Sequence, residues 1–215
     1  GLAPRVVDLS ADFRLSDPAA YARHYGEHPR PDLLGSFAYG IAEVNREALR
    51  GAARVATAGC NATVSILALA PLVEAGVVAP DRTVVDVKVG SSEGGAEAND
   101  GSHHPVRSGV VRPYKATGHR HTAEVEMVLA RLAGEGAPAP RVHLSVTAVE
   151  MVRGAAAAAH VFLTRPLSDK DLWGIFRERY DAEPFVRIVN ERTGPYRLPE
   201  PKLLAGTNFC DVGWE

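Results

Sequence analysis

The sequence predicts an α/β chain, with α/β material at its start and then a mostly antiparallel sheet carrying helices on one face. Three observations carry that prediction. A short β-prone run at 54–58 meets the turn Gly59-Cys60-Asn61 and then a strongly apolar helical stretch at 62–74. Two long β-prone runs, 142–149 and 152–164, follow one another with only a brief break. Helical periodicity recurs at 122–132, where Val125, Val128, Leu129 and Leu132 share a face, and again after Ser168, where Leu172, Ile175 and Phe176 do.

Taken in order, Val6-Val7-Asp8-Leu9-Ser10 reads as a strand entering a polar turn. Asp17-Pro18 starts a helix, with Asp17 as N-cap and Pro18 at the first helical position. Residues 26–36, with Gly26, Pro29, Pro31 and Gly35, form a loop. The helix at 62–74 holds Ile66, Leu67, Leu69, Leu72 and Val73 in the core and closes at Gly76. Residues 82–89 alternate as a strand. Residues 90–118 are Gly-rich and read as a long loop, a feature that usually serves function in a compact domain. Ser168 caps a helix reaching Tyr180. Residues 185–189 read as a strand, and 203–212 contain another. The alanines at 155–159 suit close packing of a sheet on a helix.

With 46% hydrophobic and 23% charged residues among 215, a packed core is well supplied. A formal net charge of −2 gives no argument for nucleic acid or an anionic membrane as partner. No apolar run reaches the roughly 18 residues needed to span a bilayer. No basic segment followed by an apolar one opens the chain, so no secretory leader is expected. The two cysteines, Cys60 and Cys210, are too few for the disulfide framework of a secreted protein. The cytoplasm is the expected compartment.

Cys60 lies where a strand meets a buried helix. Free N–H groups and the positive end of the helix dipole favour a thiolate there, so its pKa is expected to fall below about 8.5. Such a thiolate suits attack on a carbonyl, and the same N–H groups suit an oxyanion. A buried structural cysteine would fit the position equally. Cys210 reads as a structural strand residue.

Residues 101–123 contain no acid but carry His103, His104, Arg107, Arg112, Lys115, His119, Arg120 and His121. Cations without counter-charge form an anion site for phosphate or carboxylate, or else a solvated basic loop. His119 and His121 precede a helix and suit acid/base work, metal binding or simple capping. No carboxylate or cysteine set at fixed spacing supports a metal, and none is expected.

Three segments in order, Val7-Asp8-Leu9-Ser10-Ala11-Asp12-Phe13-Arg14, Gly59-Cys60-Asn61-Ala62-Thr63 and Gly118-His119-Arg120-His121-Thr122-Ala123-Glu124, resemble the N-acetyl-gamma-glutamyl-phosphate reductases. Gly59-Cys60-Asn61-Ala62-Thr63, with Ser102-His103-His104-Pro105 and Arg112-Pro113-Tyr114-Lys115, is closest to the branch acting on an amino-group carrier protein, the [carrier]-L-2-aminoadipate 6-phosphate reductases of lysine biosynthesis. The resemblance implies a glyceraldehyde-3-phosphate-dehydrogenase-like catalytic domain at 60–215 without its C-terminal segment. Before it, at 1–59, it implies the rear part of a Rossmann-type dinucleotide-binding domain without its N-terminal glycine fingerprint.

The implied activity is NADPH-dependent reduction of an acyl phosphate to an aldehyde. Cys60 is then the nucleophile and His121 or His119 the acid/base, with His121 preferred for its place at the helix start. Asn61, Arg107, Arg112, Tyr114 and Lys115 are implied at the substrate, and Ser91, Ser92, Gly94 and Gly95 near the nicotinamide. A small acidic carrier protein and a homo-oligomer, dimer or tetramer, are the implied partners. Three other readings compete: a reductase of free N-acetyl-glutamyl phosphate in arginine biosynthesis, an aspartate-semialdehyde dehydrogenase relative, and a non-catalytic dimerisation module. Glu93, Glu97 and Asp100 would be awkward for the small dianionic substrate of the second.

Overall fold

The computed structural model describes residues 3–215. Its first elements are β1 (Val6–Asp8), α1 (Pro18–Tyr25), β2 (Ala38–Gly40), α2 (Ala42–Leu49) and β3 (Arg54–Thr57). The three strands form a parallel sheet in the order β1-β3-β2. Asp17 caps α1 as its sequence predicts, its carboxylate accepting from the N–H groups of Ala19 and Ala20 at 3.0 and 3.1 Å.

Next come α3 (Cys60–Glu74), β4 (Val78–Val89), α4 (His104–Arg107), β5 (Val111–Lys115), α5 (His121–Ala133), β6 (Val142–Val149), β7 (Ala155–Leu163) and α6 (Asp169–Tyr180). They build a four-stranded sheet ordered β5-β6-β4-β7. Both outer pairings are antiparallel, as expected, but the central β4–β6 pair is parallel. The long run at 90–118 is not all loop. It contains a short 3-10 turn at Ser91–Gly94, then α4, and β5 as an edge strand on β6. The chain closes with β8 (Val186–Ile188), α7 (Pro201–Leu204) and β9 (Cys210–Val212), where β8 and β9 pair in parallel.

Helix α3 is apolar almost all round because it is enclosed almost all round. Ile66, Leu67, Leu69, Leu72 and Val73 join Val85, Val87 and Val89 of β4, Val125, Val128 and Leu129 of α5, and Phe176 and Tyr180 of α6 in one core. Ala155, Ala157 and Ala159 of β7 pack against that core, which accounts for the alanine run. Pro71 sits inside α3 and cannot donate to the carbonyl four residues back. That carbonyl, Leu67 O, accepts instead from the Tyr180 hydroxyl at 2.6 Å. Losing this hydroxyl would leave a buried acceptor unsatisfied, at a cost of about 1–3 kcal/mol. The start of α3, and with it Cys60, is therefore carried on a helix fixed along its length. At α6, Ser168 and Asp171 form a full capping box.

Candidate active site

Cys60 is the first residue of α3, directly after β3 and the N-cap Gly59. Its side chain has an exposed edge. The Sγ lies 3.6 Å from Asn61 Oδ1, and Asn61 is buried with no hydrogen-bond partner for Nδ2. The thiol departs from its sequence expectation. The surrounding chain desolvates the sulfur and raises its pKa, and the Glu93 carboxylate adds to the rise. Backbone hydrogen bonds at the helix start and Arg14 act the other way without prevailing. The helix terminus is present, but burial and a nearby anion outweigh it.

The first residue of α5 is His121, so two helix N-termini meet at this point. The imidazole lies flat against Gly59: a Cβ placed on Gly59 would stand 2.5 Å from His121 Nε2 and 2.6 Å from Cε1. Any side chain at position 59 would therefore displace the histidine. His121 is buried and its Nδ1 has no hydrogen-bond partner. His119 is buried too, and its Nδ1 accepts the His121 backbone N–H at 3.1 Å, which caps α5. The two rings are 4.7 Å apart and nearly perpendicular. Burial chiefly, aided by neighbouring cations and by each other's proximity in the case of His121, lowers His119 to about 4 and His121 to about 3. Both imidazoles are neutral at neutral pH.

One turn along α5, Glu124 is fully buried. Its Oε2 accepts from the Tyr39 hydroxyl at 2.7 Å and from the Gly59 N–H at 2.9 Å. Its Oε1 stands 3.6 Å from Arg14 and 3.8 Å from His121 Nε2, with no hydrogen bond to either. The His121 approach is not an ion pair, since burial keeps the imidazole uncharged and raises the Glu124 pKa. Arg14 is itself tied to Thr57 O at 2.8 Å. Glu124 thus joins β2, the loop after β1, the peptide preceding Cys60 and α5.

On the opposite side, the Tyr114 hydroxyl donates to Glu93 Oε2 at 3.1 Å, and the Asn61 carboxamide faces both groups. The basic residues that share one acid-free stretch do not converge on one point. Arg107 turns inward to Val89 O at 2.7 Å, Arg112 bonds Val106 O at 3.0 Å, Arg120 lies over the Tyr25 ring, and Lys115 is exposed. Ser91 and Ser92 spend their N–H groups on Met151 O and Val152 O, while Gly94 and Gly95 are exposed. Among the described residues no group of three or more His, Cys, Asp or Glu side chains converges as a metal site would require. No helix among them is long and apolar enough to cross a membrane. Cys210 lies on β9, half-buried, its pKa pushed by burial up to about 11.

Sequence reasoning assigned no role to Arg14, Tyr39 or Glu124. The spacing of Glu124 three residues after His121 puts both on one helical face and was the available signal. Tyr39 and Arg14 carry no such signal.

Residues 60–215 match the family described as semialdehyde dehydrogenase, dimerisation domain. The chain belongs to this family. A protein of Thermomicrobium roseum, provisionally named a [LysW]-L-2-aminoadipate 6-phosphate reductase, is 56% identical over 216 residues. That alignment takes in 100% of this chain and 60% of the relative. The Deinococcus radiodurans protein named [LysW]-L-2-aminoadipate 6-phosphate reductase is 49% identical over 211 residues, 98% of this chain and 59% of the relative. This semialdehyde dehydrogenase-family chain thus spans about three-fifths of the length of the curated relatives it matches. Aspartate semialdehyde dehydrogenase II of Vibrio cholerae shares the fold, with a TM-score of 0.59, 16% identity, and coverage of 97% of this chain and 61% of that one.

Proposed function

We propose that this chain carries the catalytic part of a cytoplasmic NADPH-dependent reductase, which converts a carrier-linked acyl phosphate to its aldehyde with Cys60 as nucleophile. The single observation that supports this most is the meeting of two helix N-termini, which lays the ring of a buried, neutral His121 with an orphan ring nitrogen against Gly59, the residue before Cys60. The relatives' names supply the substrate class, [LysW]-L-2-aminoadipate 6-phosphate, and the family description supplies self-association. Residues 1–59 are read as the rear part of the cofactor domain and 60–215 as the catalytic and dimerisation domain.

In this reading Cys60 Sγ attacks the acyl carbonyl, an S–C bond forms, the C–O bond to phosphate breaks, and phosphate leaves. The N–H groups opening α3 and the unpartnered Asn61 Nδ2 stabilise the developing oxyanion. His121, neutral at rest, takes the thiol proton and returns it to the alkoxide oxygen at reduction. The thiohemiacetal then collapses, its hydroxyl proton passing through His121 to the sulfur as the C–S bond breaks, the aldehyde leaves and the Cys60 thiol is restored. His119, whose Nδ1 is occupied by the helix cap, serves to position α5. NADPH, when bound, supplies the hydride. The anchored loop with the Ser91 and Ser92 side chains and exposed Gly94 and Gly95 fits a flat ring, since no bulky side chain but Glu93 rises from it. Arg107, Arg112 and Lys115, with Tyr114, form the rim toward the acyl chain and its carrier.

The test is turnover by the complete reductase. Cys60→Ser is expected to keep its fold and lose at least about a thousandfold in kcat. Carrier-linked aminoadipyl phosphate is expected to be used far more efficiently than free N-acetyl-glutamyl phosphate. Equal efficiency for the two would replace the carrier reading with that of arginine biosynthesis.

A further inference from the structure

Glu93 stands on a loop that the fold fixes closely. The N–H groups of Gly90, Ser91 and Ser92 donate to the carbonyls of Gly154, Met151 and Val152 at 3.0, 2.8 and 2.9 Å. A Cβ on Gly90 would lie 2.8 Å from Val152 O, so loop and β6–β7 turn are in direct contact. The 3-10 turn Ser91–Gly94 then presents Glu93, half-buried, to the Tyr114 hydroxyl at 3.1 Å. Between that pair and Cys60 lies Asn61, with Oδ1 3.6 Å from Sγ and Nδ2 unpartnered.

No cation among the described residues lies within ion-pair distance of Glu93. Arg107 acts on it from α4 but bonds Val89 O, and Arg120 acts on it from the turn before α5 but lies over Tyr25. Arg14, the cation that acts on the thiol, is held by Thr57 O at 2.8 Å and stands 3.6 Å from the Glu124 carboxylate. Cys60 therefore has a fixed carboxylate on its loop side, while the guanidinium that acts on it already faces Glu124. A thiol that must ionise gains nothing from an unpaired carboxylate, which both disfavours the thiolate and repels anions. For a substrate with one anionic end, the same charge has a use: it decides which way round the molecule binds.

We infer that Glu93 is a positioning residue, which, braced by Tyr114, turns an incoming acyl phosphate so that its phosphate lies away from the 91–94 loop. This rests on Cys60 as nucleophile, and it deepens that reading by assigning the polarity of the site.

The experiment measures the charge at the sulfur without turnover. Cys60 in the full chain is alkylated with neutral iodoacetamide and with anionic iodoacetate at pH 8, and modification at Cys60 is followed by mass spectrometry. The wild type is expected to favour the neutral reagent. Glu93→Gln should raise the iodoacetate-to-iodoacetamide rate ratio roughly three- to tenfold and move the pH inflection of alkylation downward. Tyr114→Phe, which frees the carboxylate, should give a smaller change in the same direction. Glu97→Gln, on the same loop, should give none. High salt should shrink the difference between Glu93→Gln and wild type. A folded Glu93→Gln chain with an unchanged ratio and inflection overturns the inference, as does an equal effect from Glu97→Gln. Failure of the nucleophile reading looks different, because Cys60→Ser would then retain turnover whatever the reagent ratios.

Discussion

On the α5 side of Cys60, His119, His121 and Glu124 are all more than nine-tenths buried and lie on or beside a helix start. On the loop side, Tyr114 and Lys115 are exposed on an edge strand, with Arg112 half-buried beside them. The two walls also differ in how their charges are held. The buried wall has two neutral imidazoles and a carboxylate with two donors; the loop wall has Arg107 and Arg112, whose bonds are to backbone carbonyls. Proton transfer needs groups whose pKa and position are set by the protein, and burial sets both. Recognition of a large, charged partner needs groups that can be reached. In the proposed reading each task falls where its physics is available.

Three measurements sharpen or break that division. The largest effect belongs to the buried wall: His121→Asn in the complete reductase should lower kcat by roughly 10²- to 10⁴-fold and leave KM within about threefold. A near-normal kcat would remove His121 from the chemistry.

The second concerns acid stability. His119 has a folded pKa near 4, below its usual 6.5. Between those values the unfolded chain binds a proton that the folded chain does not, so the stability owed to this group is full above pH 6.5 and is lost as pH falls toward 4. At pH 5 the loss is about 2 kcal/mol. His119→Asn can still cap α5 through its amide oxygen, and its unfolding free energy should fall by about that much less than wild type between pH 7.5 and 5. Parallel curves for the two proteins in urea melts would show that His119 is not held neutral by burial.

The smallest effect belongs to the loop wall. Arg112→Gln with Lys115→Gln should raise KM for the carrier-linked substrate a few-fold at low salt, fading at high salt, with kcat little changed. A kcat defect comparable to that of His121→Asn would erase the distinction between the walls.

Much of the buried wall was legible in the sequence. The starts of α3 and α5 were placed within two residues, because an apolar run after a Gly turn and after His119-Arg120-His121 leaves little choice of register. Less visible was everything that depends on distant partners. Glu124 bonds Tyr39 and approaches Arg14, residues on other elements, and no local pattern marks either. Strand β2 has three residues, and α2 departs from helical geometry at Asn45, so neither offers a sustained period. The thiol's direction of shift was misjudged because the helix end is local while Glu93 and the desolvating chain are not. Adjacency in sequence leaves the cations open as one anion site or a solvated basic loop, and it cannot show that α4 and β5 point Arg107 and Arg112 to different carbonyls.

The bond from Gly59 N–H to Glu124, together with that from the Tyr39 hydroxyl, bears on how this polypeptide divides. A family boundary drawn at residue 60 passes through these two bonds. A cut made there strips a fully buried carboxylate of both its donors and takes away Arg14 as well. What remains would have to protonate that acid, expose it or rearrange α5 around it. Thermodynamically the two pieces are sewn together by one glutamate, and proteolytic dissection at residue 60 would release a segment that has lost the anchor beside Cys60.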